Sequence, residues 1–103
     1  MKVFWTDRAK QRLRKIHAYI ARDAPQAADR VARAVLLRSR DLETHAYAGR
    51  RVPEYARNDV RELMQRPYRI IYAILPDRID VVAVMHYRQL LPGDVDELRV
   101  GDV

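Results

Sequence analysis

The chain has no cysteine, which excludes both a disulfide framework and a thiolate metal site. It has no run of about 18 apolar residues either, so no membrane span is expected. The opening Met-Lys-Val-Phe-Trp-Thr-Asp-Arg lacks the apolar stretch of a secretory signal, and a cytoplasmic location is the expectation. Repeats and low-complexity tracts are absent, and lysine is scarce, with only Lys2, Lys10 and Lys15. What remains is 49% hydrophobic and 33% charged, a balance that belongs to a folded domain and not to a disordered chain. At 103 residues it suits one domain around one modest core.

The net charge of +6 is spread unevenly. Residues 1–45 hold eleven Lys or Arg against five Asp or Glu, residues 46–88 hold eight against five, and residues 89–103 hold one against four. Two basic segments therefore precede an acidic tail. A small basic domain often meets nucleic acid or an acidic protein. Helical arginines also commonly do no more than solvate a helix face, since single surface charges contribute little.

Hydrophobic periodicity gives the organisation. Lys2 to Trp5 reads as a short strand, and Trp5 as a core residue whose indole N–H needs a partner. Thr6 is a good N-cap with Asp7 favourable at the positive end of a helix. Ala9, Leu13, Ile16 and Ile20 then recur at helical spacing. Pro25 suits the first position of a second helix, whose stripe is Ala28, Val31, Ala32, Val35, Ser39 and Leu42. The short Asp23-Ala24 connection makes the helices antiparallel, and the hairpin needs a sheet to cover its stripes. His45 to Asn58 shows neither period. Strands are expected at roughly 59–64, 68–75 and 79–87, the last two joined by a turn at Pro76-Asp77-Arg78. The acidic stretch from Asp94 to Leu98 reads as a helical turn or a fraying end.

This order implies an α+β fold: an N-terminal strand, a two-helix antiparallel hairpin, then a three-stranded antiparallel meander with the helices on one face, three or four strands in all. Expected core residues are Leu13, Ile16, Ile20, Val31, Val35, Ile70, Ile74 and Val81. Residues 1–91 form one domain and 92–103 its acidic tail. Within the meander the period of two puts Arg69 with Ile71, Ala73 and Leu75, and Tyr68, Ile70, Tyr72 and Ile74 on the other face. It also puts His86 with Val82 and Val84, and Arg88 continues that row. Cations set along apolar strands suggest a surface for an anion or an acidic partner.

Several pieces from Val3 to Leu91 resemble the RelE/ParE superfamily of type II toxin–antitoxin toxins. They are the helix junction Tyr19-Ile20-Ala21-Arg22-Asp23-Ala24-Pro25-Gln26-Ala27-Ala28, then Gly49-Arg50 with Pro53-Glu54, Arg61-Glu62-Leu63, Tyr68-Arg69-Ile70-Ile71-Tyr72 and Val84-Met85-His86-Tyr87-Arg88. The junction and the Gly-Arg…Pro-Glu loop are more similar to the ParE branch. That branch implies a non-catalytic inhibitor of DNA gyrase; the RelE branch implies a ribosome-dependent mRNA endoribonuclease. Either implies a cognate acidic antitoxin whose C-terminal segment wraps the toxin, with a helix against the helical hairpin and an extended piece against the sheet.

The residues bear on the choice. Cleavage through the ribose 2′-hydroxyl needs a base, an acid and a cation for phosphate charge. Arg61, Arg69 and Arg88 are the candidate cations, His86 the acid or base, and Glu62 a base. Yet Glu62 points away from Arg61 on one strand, and the lysine cluster of many RelE-like nucleases is missing. A His86/Arg69 pair does resemble one used by some ribosome-dependent members. The gyrase reading takes Arg61, Arg69, His86 and Arg88, with the segment from Arg88 to Leu98, as the target-binding surface, and expects removal of an Arg charge at an exposed strand position to cost within about 0.5 kcal/mol. The plainer alternatives are a His86 that is only a hydrogen-bonded sheet residue, and Arg61 or Arg69 paired with Glu62, Asp59 or Asp80. Tyr47, Tyr55 and Tyr87 are too scattered for a stacking platform. Glu54 with His45 or Asp59 lacks metal-ligand spacing, and no metal or cofactor is expected. A general basic nucleic-acid-binding module is a third reading, without a helix-turn-helix or RNA-recognition signature to carry it.

Overall fold

The computed structural model describes residues 1–99, so the last four residues of the acidic tail lie outside the described residues. Strand β1 (Lys2–Trp5) leads into Thr6, whose hydroxyl accepts from Ala9 N at 3.1 Å and so starts α1 (Asp7–Ala21). The N–H groups of Asp23 and Ala24 both return to the Ile20 carbonyl, and Pro25 opens α2 (Pro25–Arg40) at its first turn. The two helices lie side by side and are pinned across their exposed flank by His17 Nε2 and Asp29 Oδ1 at 2.7 Å. Ala9, Leu13, Ala28, Val35 and Ser39 are buried, while Ile16, Ile20, Val31 and Ala32 are half-buried at the edges of the two stripes. Leu42 continues the second stripe through a 3-10 turn (Asp41–Glu43).

The sheet has five strands in the order β1-β5-β4-β3-β2, with β2 at Arg50–Arg51, β3 at Val60–Gln65, β4 at Tyr68–Ile74 and β5 at Arg78–His86. The meander β3-β4-β5 is antiparallel, and the Pro76-Asp77 turn is closed by Leu75 N donating to the Arg78 carbonyl at 2.8 Å. Two features add to the three or four antiparallel strands expected. The first strand pairs with the last in parallel, Val3 opposite Ile79, and the two-residue β2 lies in the segment that shows no periodicity.

The sheet is buried on both faces. Leu63, Ile70, Tyr72, Ile74, Ile79, Val81 and Val84 pack with Ala9, Leu13, Val35 and Leu42 on the helix side. Val60, Ile71, Ala73, Val82, Ala83 and Met85 form the far side with Val52, Val95 and Leu98. The acidic segment thus closes the far side: a 3-10 turn (Val95–Arg99) lays Val95 and Leu98 onto the sheet, and the Tyr55 hydroxyl donates to the Pro92 carbonyl at 2.9 Å. Burying a side chain of leucine size contributes about 1.5–3 kcal/mol, which opposes fraying of this segment.

Strict alternation fails once. The β4–β5 register shifts between Ile71, opposite Ala83, and Tyr72, opposite Val81, leaving Val82 as an extra bulged residue. Val82 and Ala83 therefore both face the far side, whereas Val84 and, two residues on, His86 return to the helix side. The expected grouping of His86 with both Val82 and Val84 holds only for Val84.

Candidate functional site

Arg69 is 6% exposed, and its guanidinium is held by two carboxylates on the far side of the sheet. Its Nε donates to Glu62 Oε1 at 2.7 Å and Nη2 to Glu62 Oε2 at 3.1 Å. Nη1 and Nη2 donate to the two Glu54 oxygens at 2.9 and 3.0 Å. Arg50 stands opposite Glu62 in the ladder and brings its Nε to 3.4 Å from Glu62 Oε2. Burial alone would lower the Arg69 pKa, but its bonds to Glu54 and Glu62 outweigh burial and hold it above the ordinary guanidinium range. The Glu54 carboxyl is held below its usual 4.5, first by its hydrogen bonds from Arg69. Arg69 is therefore a buried bridge between β3, β4 and the loop after β2, and not an exposed strand cation. The expectation of a cost within about 0.5 kcal/mol does not apply to it.

Arg61 projects from the other face of β3 into the preceding loop. Its Nη1 donates to the Gly49 carbonyl at 2.8 Å, its Nε to the Asn58 carbonyl at 3.0 Å and its Nη2 to Asn58 Oδ1 at 2.6 Å. It also lies over the exposed Tyr47 ring at 4.8 Å. Beneath it the buried Tyr72 hydroxyl donates to the Ala46 carbonyl at 2.8 Å and accepts from Gly49 N at 3.0 Å. Arg61 thus shapes the loop and takes no acidic partner from Glu62, Asp59 or Asp80. Asp59 pairs with Arg57 and Asp80 with Arg78.

The remaining pair comes together at the open end of the meander. His86 stacks on Tyr87, with ring centroids 4.8 Å apart, and meets the edge of Tyr68 at 6.0 Å. The Arg88 guanidinium lies 5.5 Å from the Tyr87 centroid, with Nε donating to the Tyr87 hydroxyl at 3.0 Å. His86 Nδ1 accepts from Arg88 N at 3.1 Å, so the neutral ring carries its proton on Nε2. Tyr87 and Arg88 are exposed and His86 is half-buried. Tyr68 packs against the helix-side core and His86 meets it there, so the resembled His86/Arg69 pair is split across the sheet. Of Arg61, Arg69, His86 and Arg88, only His86 and Arg88 adjoin one another. Tyr47 and Tyr55 lie elsewhere, but Tyr68, not singled out from the sequence for stacking, joins Tyr87 around His86.

Two further features lie outside the site residues named from the sequence. Glu54 carries half of the Arg69 clamp, whereas the sequence marks it only within the Gly-Arg…Pro-Glu loop of the resemblance and not as a partner of Arg69. A groove of about 580 Å³ opens between β1 and the helical hairpin, with Phe4, Trp5, Leu13 and Leu36 as its apolar lining beside Lys10 and Arg14. The indole N–H of Trp5 donates to Ser39 Oγ at 3.2 Å, and Phe4 and Leu36 remain 49% and 44% exposed. Among the described residues no helix is long and apolar enough to cross a membrane, and no three His, Cys, Asp or Glu side chains gather as a metal site.

Residues 3–91 match the family model of the ParE toxin of the type II toxin–antitoxin system parDE. Toxin RelE3 of Caulobacter vibrioides (strain ATCC 19089 / CIP 103742 / CB 15) is 29% identical over 79 residues, spanning 77% of this chain and 86% of that protein. The fold is shared with a solved chain of the chromosomal ParDE TA system from P. aeruginosa, with a TM-score of 0.71 at 20% identity, over 84% of this chain and 95% of the other.

Proposed function

The chain belongs to the ParE toxin family of type II toxin–antitoxin systems, and from that premise we propose that it inhibits DNA gyrase without cleaving RNA itself. The observation that supports this most is the separation of the four candidate residues. Arg69 is neutralised on the far side, Arg61 is spent on loop carbonyls, and only His86 and Arg88 share a surface. The base, acid and cations named from the sequence, Glu62, His86, Arg61, Arg69 and Arg88, therefore do not converge around one reacting atom as general acid–base cleavage by that set requires. In this reading the target-binding surface is the open end of the meander, Tyr68, His86, Tyr87 and Arg88, with the segment that follows it. The competing reading is ribosome-dependent mRNA cleavage, in which the imidazole flanked by two tyrosines and Arg88 would act as acid or base.

Paired assays decide between them. Wild-type protein and folded His86→Ala and Arg88→Ala variants are tested for inhibition of gyrase supercoiling and for mRNA cleavage on translating ribosomes. The gyrase reading requires supercoiling inhibition by wild type that weakens in the variants, without cleavage. Cleavage abolished in His86→Ala, with supercoiling untouched by wild type, replaces it with the nuclease reading.

A toxin of this kind has a cognate protein antitoxin. The groove beside β1 suits an acidic amphipathic segment, whose apolar side chains would cover Phe4 and Leu36 while its carboxylates face Lys10 and Arg14. Binding on the order of nanomolar is expected. Its association rate should fall as salt is added, and a salt-independent rate would remove the electrostatic part of the proposal.

A further inference from the structure

The two carboxylates on Arg69 are not equivalent. Glu62 lies inside the ladder with its side chain 0% exposed, and it has two guanidiniums, Arg69 and Arg50, within reach. Glu54 sits on the loop between β2 and β3 with its side chain 43% exposed, and it covers only the outer Nη1 and Nη2 fork of Arg69. A guanidinium fork matched by both oxygens of one carboxylate is a built recognition site for a carboxylate. Here the chain itself supplies the occupant.

The loop that brings Glu54 there carries it at its solvent-exposed turn. Ala56 has φ of 52°, in the left-handed region that a residue with a Cβ rarely adopts. Pro53, Glu54, Ala56, Arg57 and Asn58 are exposed, while the loop is anchored around them by the Tyr55 hydroxyl to Pro92, by turn bonds back to Val52, by the Arg57–Asp59 pair and by Arg61 on Asn58. Rotating the half-exposed Glu54 side chain outward would leave Arg69 and Arg50 facing Glu62 alone. Two cations against one anion would then border a pre-shaped fork.

We infer that the outer fork of Arg69 is a masked binding site for a carboxylate of an acidic peptide segment, with Glu54 as its built-in competitor and Arg50 as the second cation. An incoming Asp or Glu exchanges for Glu54 one carboxylate for another, so the buried Arg69–Glu62 bridge stays intact and the fold is not put at risk. The site lies on the far side of the sheet from His86 and depends on no choice between gyrase and ribosome.

The test uses hexaglutamate as the probe, titrated calorimetrically at low salt into wild type, Glu54→Ala and the charge-matched control Glu43→Ala, whose side chain is remote from Arg69. If Glu54 masks the fork nine-tenths of the time, Glu54→Ala binds about tenfold tighter than wild type. Glu43→Ala should show only the small gain expected from one added net positive charge, and Arg50→Ala placed in the Glu54→Ala background should reverse much of the tenfold gain. Equal affinities in Glu54→Ala and Glu43→Ala would overturn the inference. Should Glu54→Ala not fold, Glu54→Gln takes its place, and the Arg69 side-chain nitrogen resonances of wild type are followed during the titration. A shift supports exchange at the fork, and unmoved resonances at saturation of the peptide refute it.

Discussion

Arg69 and His86 belong to neighbouring strands, their positions displaced by a single residue in the ladder, since Tyr68 stands opposite His86 and Arg69 opposite Met85. One is a cation enclosed by carboxylates beneath a loop, and the other is a titratable ring at an open end among exposed tyrosine and arginine. The difference teaches that a polar residue on an apolar strand has two opposite uses. Turned toward a buried acid it joins layers of the fold, and turned toward the rim it is available to a partner. Which use applies is decided by the residue's face and by what the adjacent loop places there.

The comparison breaks first at Arg69. Arg69→Ala leaves Glu62 buried without its main partner, and urea unfolding should show a loss of about 3–5 kcal/mol. Replacing both members, Glu62→Leu with Arg69→Met, should lose clearly less than the single substitution, because no buried charge is then orphaned. A loss at Arg69→Ala no greater than that of a surface variant would place Arg69 with Arg88 and erase the distinction.

A smaller effect is expected at Gly49, beside the same strand. A Cβ there would run into the Glu62 carbonyl and the Tyr72 hydroxyl. Overpacking of that kind costs about 1–3 kcal/mol, so Gly49→Ala should lower the urea midpoint without changing its slope. Acid sharpens the contrast further. The Glu54 pKa is depressed in the folded chain, so its contribution is present above the ordinary value of 4.5 and is lost as pH falls through the lowered one. Glu54→Gln should therefore flatten the decline of stability as pH falls below the ordinary 4.5, and an unchanged slope would deny the clamp any energetic role. Smallest of all, His86→Ala and Arg88→Ala should each change stability by within about 0.5 kcal/mol while altering target inhibition, which thermal melts beside the activity assays would establish.

The helices were legible because caps and periodicity agree: Thr6 and Pro25 stand where α1 and α2 begin, and Ala9, Leu13, Ala28 and Val35 are buried. The meander was legible from its apolar runs. The parallel docking of β1 on β5 was not, because four residues of strand carry no mark of their partner. Two consecutive arginines give β2 no period to read. The bulge at Val82 was equally hidden, as an extra valine in a run of valines leaves the composition unchanged while reversing every later face. That reversal separated His86 from Val82. The fate of Arg69 depended on Glu54, fifteen residues away on an aperiodic loop, and an Arg on a strand looks the same in sequence whether an acid or water awaits it.

The pairing of β1 with β5 also sets a timetable. The strand Lys2–Trp5 finds its ladder far along the chain in Arg78–His86, and the far side is closed later still by Val95 and Leu98. Such non-local closure is slow compared with helix formation, and it cannot begin until β5 has left the ribosome. During synthesis the helical hairpin can form early, with its apolar stripes and the β1 groove exposed and the tip around His86 not yet built. The surface of the hairpin is therefore on offer before the surface around His86 exists, so the two faces of one fold differ in age as well as in chemistry.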